Sequence, residues 1–448
     1  MGQMSRRAFL GTSGRSLAGS AFAFSIVAAQ QARGADERVR LGLIGCGGRG
    51  RYVMRTLVQQ GARFTHLCDL MPSRRGHAAA FLAKVQKEEA KQVAEMRRVL
   101  DDPGVEGVLV ATPDHWHGPA SILACQAGKD VYVEKPHAHN IWESTKMVEA
   151  ARKYKRVVQV GTQNRSCPYN LKALDYVRSG KLGTVHLVQV FNMKPGGPFH
   201  LGEPGEKPEG FDWDAWLGRA PRRPYHKRLF HGGWHHFWDF SGGDMADDGI
   251  HQIDLALMVL GDPGLPASAR CLGGRYAHRG DDSERPDVQV ASYDFAQFVM
   301  TFELTGYPRY MRKTTGTIRR KDAQPYWTQN ATRIEFYGSD LMMILGRHGG
   351  GWVVMTSGGK VVEKVYGRPG DEPHARNFLD CVRSRQRPNA DVAVAHLSNV
   401  TMHLGNIAHR AGNTALRYDP QTGRFDDAAA NQLIKPTYRE GYRIPEEV

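Results

Sequence analysis

Val39-Arg-Leu-Gly-Leu-Ile44, running straight into Gly45-Cys46-Gly47-Gly48-Arg49-Gly50, is the stretch on which the reading of this chain turns. A short apolar run bounded by glycines predicts a buried strand, and the residues after it predict a helix from about Arg49 to Gln60. The glycines fit G-x-G-x-x-G between that strand and that helix, the setting in which the pattern binds a dinucleotide. Gly45 permits the tight turn, Gly47 lets the backbone approach a pyrophosphate, and Gly50 lets the helix pack closely on the strand. With Gly48 and Arg49 between them, the loop delivers amide donors and the positive end of a helix dipole to the phosphates.

Outward from the loop the same rhythm repeats. Phe64–Asp69, Gly107–Ala111, Val131–Val133 and Val157–Val160 read as strands, with helical stretches over Arg74–Leu100, His117–Ala127 and Asn140–Tyr154. Such alternation predicts a doubly wound parallel sheet, an α/β Rossmann domain. Asp69 ends the second strand, where a carboxylate can accept from both adenosine ribose hydroxyls; this favours NAD. Arg74 and Arg75 stand close enough to accommodate a 2′-phosphate, so NADP stays open, and a plain turn cap is the structural alternative for Asp69. Beyond Gly161 the pattern changes to β-rich segments (184–193, 269–277, 287–304, 331–346, 351–356) closed by helices over 373–386 and 390–411. The second part therefore reads as α+β with an open, mostly antiparallel sheet. The expected organisation is a leader over 1–35, an NAD(P)-binding domain over 36–160 and a second domain over 161–448.

At 448 residues, with 41% hydrophobic and 24% charged residues, the chain has room for two cores. Its formal net charge of +14 is not a nucleic-acid signature: basic residues are dispersed, and no base-stacking module accompanies them. The six cysteines (46, 68, 125, 167, 271 and 381) form no close CxxC pair and read as buried free thiols. The leader has Arg6-Arg7-Ala8-Phe9-Leu10, a weakly apolar stretch from Leu17 to Ala29 and no acidic residue. It is too short and too diluted by Gly and Ser to span a membrane, and no cysteine suggests a lipid anchor. Paired arginines before Phe-Leu resemble a twin-arginine export signal, with an ordinary secretory signal as the alternative; either predicts an exported protein.

Two later segments carry the chemistry. Glu134-Lys135-Pro136 follows the fourth strand at the edge where doubly wound sheets place ligands. A lysine there can stabilise alkoxide charge on a substrate oxygen, or it can simply cap the strand in solvent. In Gly242–Asp254, Asp247, His251 and Asp254 recur at i, i+4 and i+7 beside an apolar stripe of Ile250, Ile253, Leu257 and Leu260. An imidazole with a carboxylate one turn away suits a general base; otherwise the acid caps the helix and His251 packs. Trp234-His235-His236-Phe237-Trp238-Asp239 suits stacking on a sugar face or a buried aromatic cluster equally. His231, His235, His236 and Asp239 have the donor types for a metal but not the spacing, and no metal is expected.

Together the glycine loop, Ala111-Thr112-Pro113-Asp114-His115-Trp116-His117, Glu134-Lys135-Pro136 and Asp247-x-Gly-x-His251-x-x-Asp254 resemble the Gfo/Idh/MocA oxidoreductase family in its exported branch. The likeness extends through Asp212–Gly218 and the closing helix from His374 to Arg387. It implies hydride transfer between NAD(P) and a sugar, polyol or related alcohol, with an open sheet face lining the substrate pocket and mediating homo-oligomerisation. Carried over, Lys135 would hydrogen-bond the reacting oxygen and His251 would take the hydroxyl proton with Asp247 as its partner. Thr112, Pro113, His117 and Gln163 would border the cofactor, and Asp254 would support from behind. His137 and His139 depart from the apolar or small residues usual after the Glu-Lys-Pro motif. The likeness also admits a redox-neutral, NAD-dependent glycoside hydrolase or lyase, and a non-catalytic sugar-binding or sensing protein. Export implies that the folded protein carries its cofactor with it.

Overall fold

Two sheets organise the chain, and the register of the first brings its motifs to one edge. The computed structural model describes residues 38–307 and 309–448; the leader expected over 1–35 lies outside them. The first sheet contains β1 (Arg40–Ile44), β2 (Arg63–Cys68), β3 (Lys91–Val93), β4 (Gly107–Val110), β5 (Asp130–Val133) and β6 (Val158–Val160), all parallel, in the order β3-β2-β1-β4-β5-β6. Helices α1 (Gly48–Gln59), α2 (Pro72–Leu82), α3 (His117–Gln126) and α4 (Ile141–Lys153) connect its strands. The central strands are buried on both faces, as their unbroken Val, Leu and Ile runs require. Each such side chain contributes roughly 1.5–3 kcal/mol by leaving water.

Strand order reverses between β1 and β4, opening a crevice at their carboxyl ends. Ile44 lies opposite both Cys68 and Val110, and Val110 opposite Val133. Gly45, Asp69, Ala111 and Glu134 are therefore each the first residue past one aligned row. The helical reading of 74–100 fails over Lys91–Val93, which forms the edge strand β3. Its three residues are mostly exposed and carry no apolar alternation. A short, lysine-bearing edge strand protects a sheet from further pairing but leaves no sequence signal.

The second sheet has ten strands: β7 (Val185–Asn192), β8 (Ser268–Gly274), β9 (Val288–Asp294), β10 (Val299–Thr305), β11 (Arg333–Gly338), β12 (Met342–Gly346), β13 (Trp352–Met355), β14 (Val361–Val365), β15 (Ala415–Asp419) and β16 (Arg424–Phe425). It is antiparallel except where β7 lies parallel to β10. The expected segments 287–304 and 331–346 each resolve into a hairpin, β9–β10 and β11–β12. One face, bearing Val188, Val190, Met300, Phe302, Ile334 and Phe336, packs on helices α5 (Pro168–Arg178), α6 (Ile250–Val259) and α8 (Val392–Arg410), with α7 (Asp371–Ser384) preceding the last. Helix α6 is buried along its whole length rather than along one stripe, because it lies between the sheet and α8. All six cysteines are buried free thiols.

Candidate active site

The nucleotide end of the crevice is made chiefly of backbone. Gly45 has φ +97°, and a methyl group there would meet the Ala111 carbonyl at 2.5 Å, so only glycine fits the turn. A side chain at Gly50 would collide with the Gly45 carbonyl oxygen. At Gly47 and Gly48, in contrast, a Cβ would meet none of the described residues within 4 Å: among them the space over the start of α1 is open and no side chain caps that helix. Asp69 accepts from the Cys46 N–H (2.8 Å) and the Met71 N–H (2.9 Å), so its carboxylate pins the glycine loop and starts α2. Burial raises this carboxyl, while Arg74 and the two amide bonds work against that rise. The turn-cap reading of Asp69 holds, and a carboxylate bound by two amides keeps lone pairs that a ribose could use.

From Asp69 a cavity of about 250 Å³ runs past Gly47, Thr112 and Pro113 into a second of about 410 Å³ that reaches Glu134 and Lys135. The Thr112 hydroxyl is buried without a partner among the described residues. Open space over a bare helix start, an unpaired hydroxyl and an acid at the strand end fit a dinucleotide. Two residues of the quoted motifs act as supports. His117 sets its two ring nitrogens against the Thr112 and Pro136 carbonyls (2.8 and 2.7 Å), donating to one of them as a neutral ring, and Glu134 accepts from Arg49 Nε at 2.8 Å. Gln163 donates to the Tyr132 hydroxyl at 3.1 Å and lines the next cavity.

The reacting end is made of side chains. Lys135 Nζ donates to the Asp247 carbonyl (2.5 Å) and to Asp247 Oδ1 (2.9 Å). Burial alone would depress the ammonium, but Asp247, Asp114 and Glu134 outweigh it and leave Lys135 above its ordinary value. Burial likewise works to raise Asp247, and Lys135, His235 and Lys194 outweigh it, holding that carboxyl well below the usual range. Asp114, beneath this pair, accepts from the Ser241 hydroxyl at 2.8 Å; burial pushes it up to about 8. His251 is 5% exposed, its Nδ1 has no partner among the described residues, and burial with nearby Arg347 and Lys135 holds it well below the ordinary imidazole value. It is a neutral imidazole at pH 7.

One expectation is corrected here. Asp247 engages Lys135, not His251, because Met245–Gly249 forms a π turn and α-helical spacing does not carry across it. Asp254 faces away, accepting from Arg165 Nε (2.8 Å) and Ser398 Oγ (2.7 Å) in the core. His137 and His139 also turn inward, the first to Ser144 and the second to Arg219. The Trp234–Asp239 segment divides: Trp234 and His235, stacked at 3.5 Å between centroids, line the cavity, whereas Phe237 joins an aromatic core with Trp213, Trp216 and Phe240.

A third cavity, of about 750 Å³, shares Arg49, Lys135 and Asp247 with the second and takes in His251. Its lining residues lie on helices and loops, with Lys194 after β7, Lys313 and the short helix bearing Arg319 before β11, and Arg347 after β12, rather than on the open sheet face that the resemblance implied. These basic residues, with Asp114 and Asp248, are what sequence reading missed. Asp114 and Asp248 lay inside quoted motifs; the others come from separate segments without a local pattern.

Residues 39–162 match an oxidoreductase family with an NAD-binding Rossmann fold, and residues 193–269 and 344–444 match the C-terminal alpha/beta domain of an oxidoreductase family. The chain is 26% identical over 228 residues to scyllo-inositol 2-dehydrogenase (NAD(+)) of Bacillus subtilis, covering 50% of this chain and 55% of that protein. A glycosyl hydrolase family 109 protein of Stenotrophomonas maltophilia is 33% identical over 138 residues, 29% of each chain. The match thus spans about half the length of the first relative and less of the second. In fold the chain resembles levoglucosan dehydrogenase, solved in complex with NADH and levoglucosan: TM-score 0.64, 17% identity, covering 85% of this chain and 99% of that one.

Proposed function

This chain belongs to the Gfo/Idh/MocA oxidoreductase family, and from that premise we propose that it transfers a hydride between bound NAD and a hydroxyl-bearing carbon of a sugar, polyol or glycoside. The observation that carries the proposal is the joining of the cavities: Lys135 stands where the crevice of the glycine loop meets the chamber containing His251. The loop residues Gly45–Gly50, Asp69, Thr112 and Pro113 would hold the dinucleotide, which when bound supplies the hydride acceptor. Lys135 stays charged and donates to the reacting oxygen, stabilising alkoxide character there. Asp247 fixes the lysine's direction and offsets the cost of its burial. A ring nitrogen of His251, uncharged at neutral pH, accepts the hydroxyl proton. Trp234 and His235 offer a flat wall for a sugar ring.

Denaturing the purified protein should release about one NAD per chain, and supplying scyllo-inositol, levoglucosan and simple glycosides should give absorbance of reduced nicotinamide with at least one of them. No dinucleotide released, and none bound when added, would sink the proposal. The family 109 match favours a second reading, in which the same Lys135 and His251 serve a redox-neutral cleavage. An aglycone released without net reduction would select it. The Arg6-Arg7 leader supports export with the cofactor in place. Leu272, Val290 and Val299, about half exposed on the outer sheet face, support pairing of copies there, which light scattering in solution tests.

A further inference from the structure

The third cavity is more basic than a neutral sugar requires. Seven basic and three acidic side chains line it. Part of that charge is matched internally: Arg49 by Glu134, Lys135 by Asp247, Lys194 by Asp244 at 3.3 Å and Lys313 by Asp248 at 2.5 Å. Three arginines are left. Among the described residues no carboxylate lies within 4 Å of Arg319 or Arg320, and Arg347 has only Asp248, at 3.7 Å and already held by Lys313. Arg347 Nε is moreover buried with no hydrogen-bond partner among the described residues. A guanidinium so placed, without a matched anion, is costly unless a ligand completes it. The planar fork of arginine suits an oxyanion that can take two parallel N–H bonds.

We propose that Arg347, with Arg319 and Arg320, binds an anionic group on the substrate, so that the favoured substrate is a sugar bearing a carboxylate or a sulfate or phosphate ester. The inference rests on the reading of this cavity as the substrate chamber. Depression of Arg347 and Arg319 by burial accords with a site awaiting negative charge. The arginines share the chamber with His251, so an anion held by them would set the ring's orientation toward that imidazole.

Calorimetry on the NAD-loaded protein tests this without turnover, using glucose, glucuronate, glucose 6-sulfate and glucose 6-phosphate. At least one anionic hexose should bind about tenfold or more tightly than glucose, with affinity falling as KCl rises. Which one binds tightest distinguishes carboxylate from ester. Arg347→Met should reduce the ratio to about unity, and Arg320→Gln, at an exposed position, should reduce it partly without threatening the fold. Equal or weaker binding of all three anions, no binding by any, or a preference kept in both variants would overturn the proposal. A clear anion preference with no hydride transfer would instead count against the dehydrogenase reading alone.

Discussion

The two ends of the crevice are built from different materials. At the nucleotide end, Gly45, Gly47, Gly50 and the amides of Cys46 and Met71 shape the site, with one side chain, Asp69, tying them together. At the reacting end, the groups are side chains delivered by β5, the π turn, α6 and loops spaced more than two hundred residues apart. A backbone site needs contiguous residues, because phosphate binding uses successive N–H groups of one turn. A side-chain site needs only convergence in space. Damage should therefore separate cleanly: changes at one end spare the other.

The largest effect is expected at Lys135. Lys135→Ala should lower kcat by about a thousandfold, as loss of a charged donor to the reacting oxygen does, while NAD affinity stays within about threefold. An equal fall in NAD affinity would break the separation of the two ends. His251→Gln should lower kcat by about a hundredfold and remove the acid limb of kcat/KM. With its imidazole held well below the ordinary value, the wild-type plateau should extend below pH 6.5 before activity declines. A limb starting at or above pH 6.5 would remove His251 from the role. Asp69→Ala should act in the opposite sense, weakening NAD about tenfold by fluorescence titration while kcat at saturating NAD is nearly unchanged.

Much of this division explains what could be read in advance. The glycine loop, Asp69 and the Glu-Lys-Pro turn were legible, since each lies at a strand end and the parallel register aligns strand ends automatically. The partnership of Asp247 was misread, because the π turn leaves no trace in residue type and Lys135 is 112 positions away. Arg347 and Lys194 were invisible for a similar reason: each is one basic residue at the end of a strand, with nothing nearby to mark it.

Two smaller tests sharpen the comparison through stability. His115 and His374 are buried in the scaffold behind the crevice and held at about 3. The unfolded chain takes up protons near pH 6.5 while these folded imidazoles do not. Stability is therefore full above pH 6.5 and declines as pH falls toward 3, by about 1.4 kcal/mol per pH unit for each. Thermal unfolding between pH 7 and 5 should show the fall, and replacing His374 with Gln should flatten it; an unchanged slope would contradict the assignment. Smallest of all, Gly47→Ala should leave the melting temperature of the cofactor-free protein unmoved, there being open space at its Cβ, yet weaken NAD binding. Gly45→Ala should lower the melting temperature outright.

By itself the sequence determined that this protein has a parallel sheet of the dinucleotide-binding kind followed by a large antiparallel one, and where the glycine turn lies. Periodicity and glycine placement are local properties, and local backbone geometry follows from them. Tertiary structure alone decided that Asp247 serves Lys135, that burial holds His251 below its ordinary value, and that Arg319, Arg320 and Arg347 face the same chamber with at most one distant carboxylate between them. Those outcomes depend on burial and on distances between remote segments, and electrostatic energy is set by such distances rather than by order along the chain.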